Sequence, residues 1–339
     1  MAHPFLVKDI AFQAGLSTAT VDRVLNERPG VRRQTEARVR AAIEELEKQQ
    51  AGLDIQGRKF AIDIVMESPQ RFTDAVRRAF ESEALTFAPT VFRCRFHFAE
   101  TMRPQDIVQL LDRIRLRGTD GLVLKAPDVP EIVAAVARFE MGGTPVVTLV
   151  TDLPHSQRTA YAGADNRTAG ETAAYLLGER FCGAPATVLV TLSSGRFRGE
   201  EEREIGFRRV LRERYPAIRI VEISEGHGRD SETGLLAHAA LSANPDINAA
   251  YSIGGGNRSV LAAFEGLERS CVLYIAHDLD EDNLALLRER RIHFVLHHDL
   301  RTDARTAFRT MMLRPGAQAP ALGPQLSAVV VITPYNVPE

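Results

Sequence analysis

Residues 7–26 read Val7-Lys8-Asp9-Ile10-Ala11-Phe12-Gln13-Ala14-Gly15-Leu16-Ser17-Thr18-Ala19-Thr20-Val21-Asp22-Arg23-Val24-Leu25-Asn26. Ile10, Ala11 and Ala14 recur at helical spacing, and Val21, Val24 and Leu25 do so again after a break. Gly15 supplies the backbone freedom that a tight turn between two helices needs. Ser17 stands where an N-cap hydroxyl meets a free backbone N–H of the second helix. The pattern predicts a helix-turn-helix, whose second helix enters a DNA major groove with its N-terminal residues at base edges. On that reading Thr18, Ala19, Thr20, Arg23 and Asn26 face the duplex, with Arg32 and Arg33 following. A plain three-helix cap is the alternative for a bare helix–Gly–helix pattern.

Charge is distributed to match. The 339-residue chain has a formal net charge of −2, yet residues 1–40 carry seven Lys/Arg against four Asp/Glu, a net +3, which leaves −5 for the rest. Arg28, Arg32, Arg33, Arg38 and Arg40 cluster after the second helix, where phosphate contacts would position such a module. Some belong to a solvated face rather than to DNA.

Residues 31–50 predict a third helix with Val39, Ile43 and Leu46 on one face. Residues 47–59 lose that period and carry Gly52 and Gly57, so 49–59 reads as a linker between a 1–48 domain and a 60–339 domain. From Phe60 onward, short β-branched runs at 60–66, 90–98, 121–125, 145–150, 187–191, 218–223, 249–253, 271–276 and 292–297 alternate with amphipathic stretches. The latter include 71–87, 104–117, 166–181, 199–214 and 280–291. This alternation predicts α/β architecture with parallel sheets, and its length predicts two lobes. Ligands of open α/β sheets bind at the carboxyl ends of the strands. The residues to inspect there include Ser68, Phe72, Asp128, Asp152, Arg203, Asn257, Asp278 and His298.

Hydrophobic residues make up 45% of the chain and charged residues 25%, an ordinary balance for a globular protein. No apolar run approaches a membrane span, and Asp9 stands where the core of an export signal would run. Cys94, Cys182 and Cys271 are odd in number and widely spaced, as expected of thiols in a reducing cytoplasm.

The string Ala-Gly-Leu-Ser-x-x-Thr-Val-x-Arg-Val-Leu-Asn at 14–26 resembles the DNA-binding domain of the LacI/GalR transcription regulators. The later part resembles their ligand domain, a periplasmic-binding-protein type I fold. The strings that carry this are Ala-Gly-Ala-Asp-Asn-Arg-Thr-Ala-Gly at 162–170, Glu-Arg-Glu-Ile-Gly-Phe at 202–207, Ile-Ala-His-Asp at 275–278 and Ile-Thr-Pro-Tyr-Asn-Val-Pro at 332–338. The resemblance implies a cytoplasmic homodimer that represses transcription at a double-stranded operator and responds to a small-molecule effector, most often a sugar or polyol. It further implies that Arg203 donates to ligand hydroxyls and Asp278 accepts from them, a pairing suited to charge-assisted hydrogen bonds. Phe72 would cover an apolar ring face. Asp128, Asn257 and His298 complete the expected ligand set.

Bland roles compete for each. Arg203 lies in a Glu-rich run where surface ion pairs are common, Asp278, Asn257 and Asp128 stand near helix starts, Phe72 suits a core, and His298 suits a buried, satisfied histidine. Two departures from the family pattern stand out. Leu6 and Arg32 occupy positions where members place capping hydroxyls. Residues 47–59 lack the hinge string Pro-Asn-x-x-Ala-Arg-x-Leu, leaving Leu53 as the candidate minor-groove wedge. A solute receptor of the same fold is the alternative, and it would need an export signal. An enzyme would need a convergent site. His293, His297, His298 and Asp299 do not converge as metal ligands, since His293 and His297 lie far apart along a strand face. Gly254-Gly255-Gly256-Asn257 lacks the Lys-Ser/Thr of a phosphate loop. No cofactor or metal is expected.

Overall fold

The computed structural model describes residues 5–26, 28, 31–55, 57–313 and 326–337, with backbone alone for 47–55. The chain divides into two compact units, residues 1–59 with 88–91, and residues 60–87 with 92–339.

In the first unit, α1 (Val7–Ala14), α2 (Thr18–Leu25) and α3 (Arg33–Ile55) enclose a small core of Ile10, Ala11, Ala14, Val21, Val39 and Ala42. Gly15 ends α1 in the left-handed region at φ 60°. The Ser17 hydroxyl caps α2 by accepting from the Thr20 N–H at 3.2 Å. Leu6 gives α1 no side-chain cap, as its substitution for a hydroxyl residue implied. The third helix corrects the linker reading: its backbone stays helical to Ile55, through Gly52. A 23-residue helix tolerates one glycine at a cost of about 1 kcal/mol. The side chain of Leu53, the expected wedge, lies outside the described residues.

The second unit has two α/β lobes. The first carries β1 (Lys59–Glu67), α4 (Gln70–Ala84), β2 (Val91–Ala99), α5 (Pro104–Arg117), β3 (Gly121–Lys125), α6 (Pro130–Met141), β4 (Val146–Leu149) and β5 (Ala160–Ala162). Its sheet has the order β2-β1-β3-β4-β5. The second carries α7 (Asn166–Phe181), β6 (Ala186–Thr191), α8 (Arg198–Arg214), β7 (Ile218–Ile223), α9 (Asp230–Ala243), β8 (Ile247–Ser252), α10 (Asn257–Gly266), β9 (Leu273–His277), α11 (Glu281–Arg288) and β10 (Phe294–His298). With β11 (Val329–Ile332) its sheet runs β11-β10-β9-β8-β6-β7. The pairings from β6 to β10 are parallel, and β11 joins β10 antiparallel.

Strand residues alternate between two apolar layers. Val188 and Val190 face the α7/α8 side with Phe207, whereas Leu189 faces the α9/α10 side with Leu241 and Phe264. The chain enters the second lobe after β5. It returns at Asp299 to lay α12 (Leu300–Met312) against α4, β4 and β5, and ends on the second lobe in β11. The strand expectations hold for all nine runs to within two or three residues; β5 and β11 are additional short strands of three and four residues. Among the described residues no helix is long and apolar enough to cross a membrane.

Candidate ligand cleft and DNA-binding helix

In the first unit, Thr18, Ala19, Arg23, Arg32 and Arg33 are exposed on or beside α2 and the start of α3. Thr20 is half-buried, its hydroxyl 2.8 Å from that of Ser17. Asn26 is occupied at the helix end, donating to the Asp22 carboxylate at 2.8 Å and the Asp22 carbonyl at 2.9 Å. Two of the clustered arginines have structural roles. Arg38 donates to the Ala14 carbonyl at 2.7 Å, closing the end of α1, and Arg28 pairs with Asp22 at 3.4 Å.

In the second unit, a cavity of about 760 Å³, its open mouth included, lies where both sheets present their carboxyl ends. Of the six residues the sequence singled out as ligand contacts, Phe72, Arg203 and Asp278 line it. Close packing places Arg203. A Cβ on Gly170 of α7 would lie 1.8 Å from the Arg203 carbonyl oxygen, and one on Gly206 of α8 would lie 2.2 Å from that of Arg167. The two helices therefore meet backbone to backbone, which accounts for a glycine in each of the strings 162–170 and 202–207. Arg203 Nε donates to Asn166 Oδ1 at 2.8 Å, and Asn166 Nδ2 donates to the Val150 carbonyl at 3.0 Å. Arg203 Nη1 lies 3.9 Å from Asp278 Oδ2.

Asp278 follows β9 in the left-handed region at φ 63°, its N–H donating to the Leu296 carbonyl at 3.0 Å. Burial pushes its carboxyl up, but His298 and Arg203 outweigh burial and hold it well below the usual range. The chain thus keeps a buried carboxylate ionised at the cavity wall.

The other three expected ligand residues take different positions. Asp128 is half-buried in the loop before α6 and is not part of the cavity wall. Asn257 opens α10 one layer behind, donating to Asn283 Oδ1 at 2.6 Å and accepting from the Tyr274 hydroxyl at 2.8 Å. His298 stands behind Asp278, its Nδ1 3.3 Å from Asp278 Oδ1 and its Nε2 3.1 Å from Asp303 Oδ2. His293 and His297 accept backbone N–H groups of Tyr274 and Leu279, and the described residues hold no metal-binding cluster.

Sequence reasoning missed several wall residues. Glu67 ends β1 and Lys125 ends β3, so the strand-end rule alone could have found both. Lys125 Nζ donates to the Glu67 carbonyl at 2.8 Å and lies 4.0 Å from the Phe197 ring centre. Burial pushes the lysine pKa down, opposed by Glu200 and Glu67. Glu67 Oε1 accepts from Arg196 at 2.7 Å, while burial, opposed by Arg196 and Lys125, raises its pKa. Glu67 Oε2 and Asp278 Oδ1 are buried without an aligned hydrogen-bond partner among the described residues. Arg71, one residue from Phe72, reaches Asp280 across the cleft, and nothing in the sequence signalled that span.

Two α/β lobes with a polar cleft between them define a binding-protein architecture, and the comparisons agree. The family described as "Periplasmic binding protein domain" matches residues 62–314, and "Bacterial regulatory proteins, lacI family" matches residues 6–47. The chain belongs to the LacI/GalR family of regulators, a non-enzymatic family. Among curated proteins none matches significantly. Similar solved structures include GanP, a glucose-galactose binding protein from Geobacillus stearothermophilus, with TM-score 0.73 and 21% identity, covering 83% of this chain and 100% of that one. A solute binding protein from Burkholderia graminis in complex with D-arabinose gives TM-score 0.73 and 20% identity, covering 83% of this chain and 97% of that one. Another from Agrobacterium vitis, bound with α-D-tagatopyranose, gives 0.70 and 17%, covering 82% of this chain and 95% of that one. At these identities the likeness establishes the fold.

Proposed function

We propose that the protein is a cytoplasmic, homodimeric repressor whose affinity for a near-palindromic operator is set by a monosaccharide or polyol held between the two lobes. The observation that carries the effector class is a pair of carboxylates lining one cavity, Glu67 from one lobe and Asp278 from the other. Carboxylates there accept from ligand hydroxyls, and because Asp278 Oδ1 is turned to His298 Nδ1 it is Oδ2, on the Arg203 side, that is left for the ligand. Arg203 and Lys125 add donors, and Phe72 and Phe197 add aromatic faces for the C–H side of a sugar ring. Similar solved structures bound to D-arabinose and α-D-tagatopyranose support the same class.

Thr18, Ala19, Arg23, Arg32 and Arg33 make the DNA contacts, with Thr20 and Asn26 fixing the shape of the reading helix. The ligand acts through its difference in affinity for the DNA-competent and DNA-incompetent states. Thermal unfolding of the full chain against a panel of neutral monosaccharides and polyols tests the effector class. A ligand at 100 times its Kd stabilises the folded state by about 2.7 kcal/mol. A midpoint rise for at least one sugar is expected, and its loss in Arg203→Ala. A panel with no rise would overturn the sugar assignment.

A further inference from the structure

Behind the cavity wall, three ionisable side chains form a line that crosses from one lobe to the other. Asp278 follows β9 of the second lobe. His298 is the last residue of β10, and Asp299 caps α12, so the imidazole stands where the chain crosses. Asp303 lies on α12, which packs on α4, β4 and β5 of the first lobe. His298 and Asp303 are 3% and 1% exposed, so water does not screen the inner half of the line. We propose that His298 is a positioning residue that ties the Asp278 carboxylate to α12 through Asp303, so that the angle between the lobes and the orientation of Asp278 change together. The proposal rests on the reading of Asp278 as a ligand-binding group.

The two contacts use opposite ring nitrogens, Nδ1 toward Asp278 at 3.3 Å and Nε2 toward Asp303 at 3.1 Å. A neutral imidazole has one N–H, whereas two buried carboxylates ask for two. Burial alone would lower the histidine pKa, but Asp278 and Asp303 outweigh it and raise it to about 10. The other charged or titratable groups facing this line include Arg203, Lys125, Asp280, Tyr161 and Tyr251, together with His277 and His297. Burial holds both of these histidines below the usual range, and His277 Nε2 lies 2.7 Å from the Tyr251 hydroxyl. His298 is therefore the imidazolium of the set.

Neither contact is aligned as a hydrogen bond: Asp278 Oδ1, His298 Nε2 and Asp303 Oδ2 all lack one among the described residues. Attraction without alignment is sensitive to small displacements, because rotating one lobe improves or loses the geometry at either end.

The test uses the full chain without ligand, so a failure of the sugar assignment leaves its outcome readable. Histidine C–H resonances of the wild type, His298→Gln and Asp303→Asn are titrated between pH 6 and 8.5. Spin labels at Arg113→Cys on α5 and His238→Cys on α9, both exposed positions, report the distance between lobes. Cys182 is replaced by serine for this purpose; the Cys94 and Cys271 thiols, pushed up to about 12 by burial, stay unlabelled. The His298 signal should stay flat in the wild type and titrate within the window in Asp303→Asn. Both variants should shift or broaden the distance distribution, and the double variant should add nothing further. A wild-type His298 midpoint below pH 8, or distances unchanged in both variants, would overturn the proposal. If Asp303→Asn does not fold, the wild-type titration and His298→Gln decide.

Discussion

Arg71 spans the cleft to Asp280, with Nε 2.9 Å from Oδ2, and its Nη2 donates to the Gly228 carbonyl at 2.9 Å. Both acceptors belong to the second lobe, while Arg71 lies in the first turn of α4 on the first. Bare glycine makes the seat: a Cβ on Gly255, which has φ 90°, would lie 2.1 Å from Arg71 Nη2. Gly255 thus clears a path for the guanidinium, while Gly254 and Gly256 make room for Ser193 and Thr233.

Arg71→Ala should weaken the contact between the lobes by about 1–3 kcal/mol, since it strips a buried carboxylate of its partner. Once a ligand is identified, stopped-flow release should be faster in this variant, with DNA affinity unchanged in its absence. Release at the wild-type rate would mean that the bridge does not hold the lobes together.

Asp280 gives the bridge a pH dependence. Burial raises its pKa to about 6 against the pull of Arg71, and the same carboxylate accepts the Asn283 N–H at 2.8 Å. Its folded pKa lies above the unfolded value near 3.9. Its stabilising contribution is therefore complete below about pH 4 and is lost as pH rises through 6. The ion pair itself follows the opposite course and disappears as the carboxylate protonates below pH 6. Asp280→Asn should flatten the pH dependence of the unfolding midpoint between pH 4 and 7. A slope equal to that of the wild type would assign it to other groups.

Gly170→Ala tests how Arg203 is held. A methyl 1.8 Å from the Arg203 carbonyl must push α7 from α8, an overpacking cost of about 1–3 kcal/mol. Because Arg203 rides on α8, ligand affinity should fall together with the unfolding midpoint. Gly266→Ala, where no atom lies within 4 Å of the added carbon, serves as the control and should change neither.

The arginines of the first unit should separate by role. Arg23→Ala should cost about 1–3 kcal/mol of DNA binding and relax sequence preference. Arg33→Ala should weaken binding across sequences and reduce the salt slope by about 1. Arg38→Ala should instead lower the unfolding midpoint, because it uncaps the Ala14 carbonyl. Circular dichroism melts and anisotropy titrations at several salt concentrations would distinguish the three.

Legibility in the sequence followed the range of the interactions. Helix-turn-helix periodicity, the Ser17 cap and the strand–helix alternation are local, so residues 7–26 and the nine long strands could be read directly. Arg203 and Asp278 were legible through their strings, and Phe72 through its place after a strand. Asn257 and His298 lie one layer behind the wall, because chain position does not reveal that Asn283 and Asp278 stand between them and the cavity. The end of α3 at Ile55 is not legible, because glycine and polar residues weaken a helical pattern without ending the helix. Arg71–Asp280 and Glu67–Arg196 join residues more than a hundred positions apart, and only the folded cleft brings them together.

The most direct measurement is anisotropy of the full-length protein on a duplex selected from a randomised pool, titrated with the sugar that raises its unfolding midpoint most. The account predicts a change in DNA affinity of at least fivefold for the wild type, the low end of common coupling free energies. For Arg203→Ala it predicts unchanged affinity without sugar and little response to it. A sugar that stabilises the protein yet leaves DNA affinity untouched, or a full response in Arg203→Ala, would contradict it.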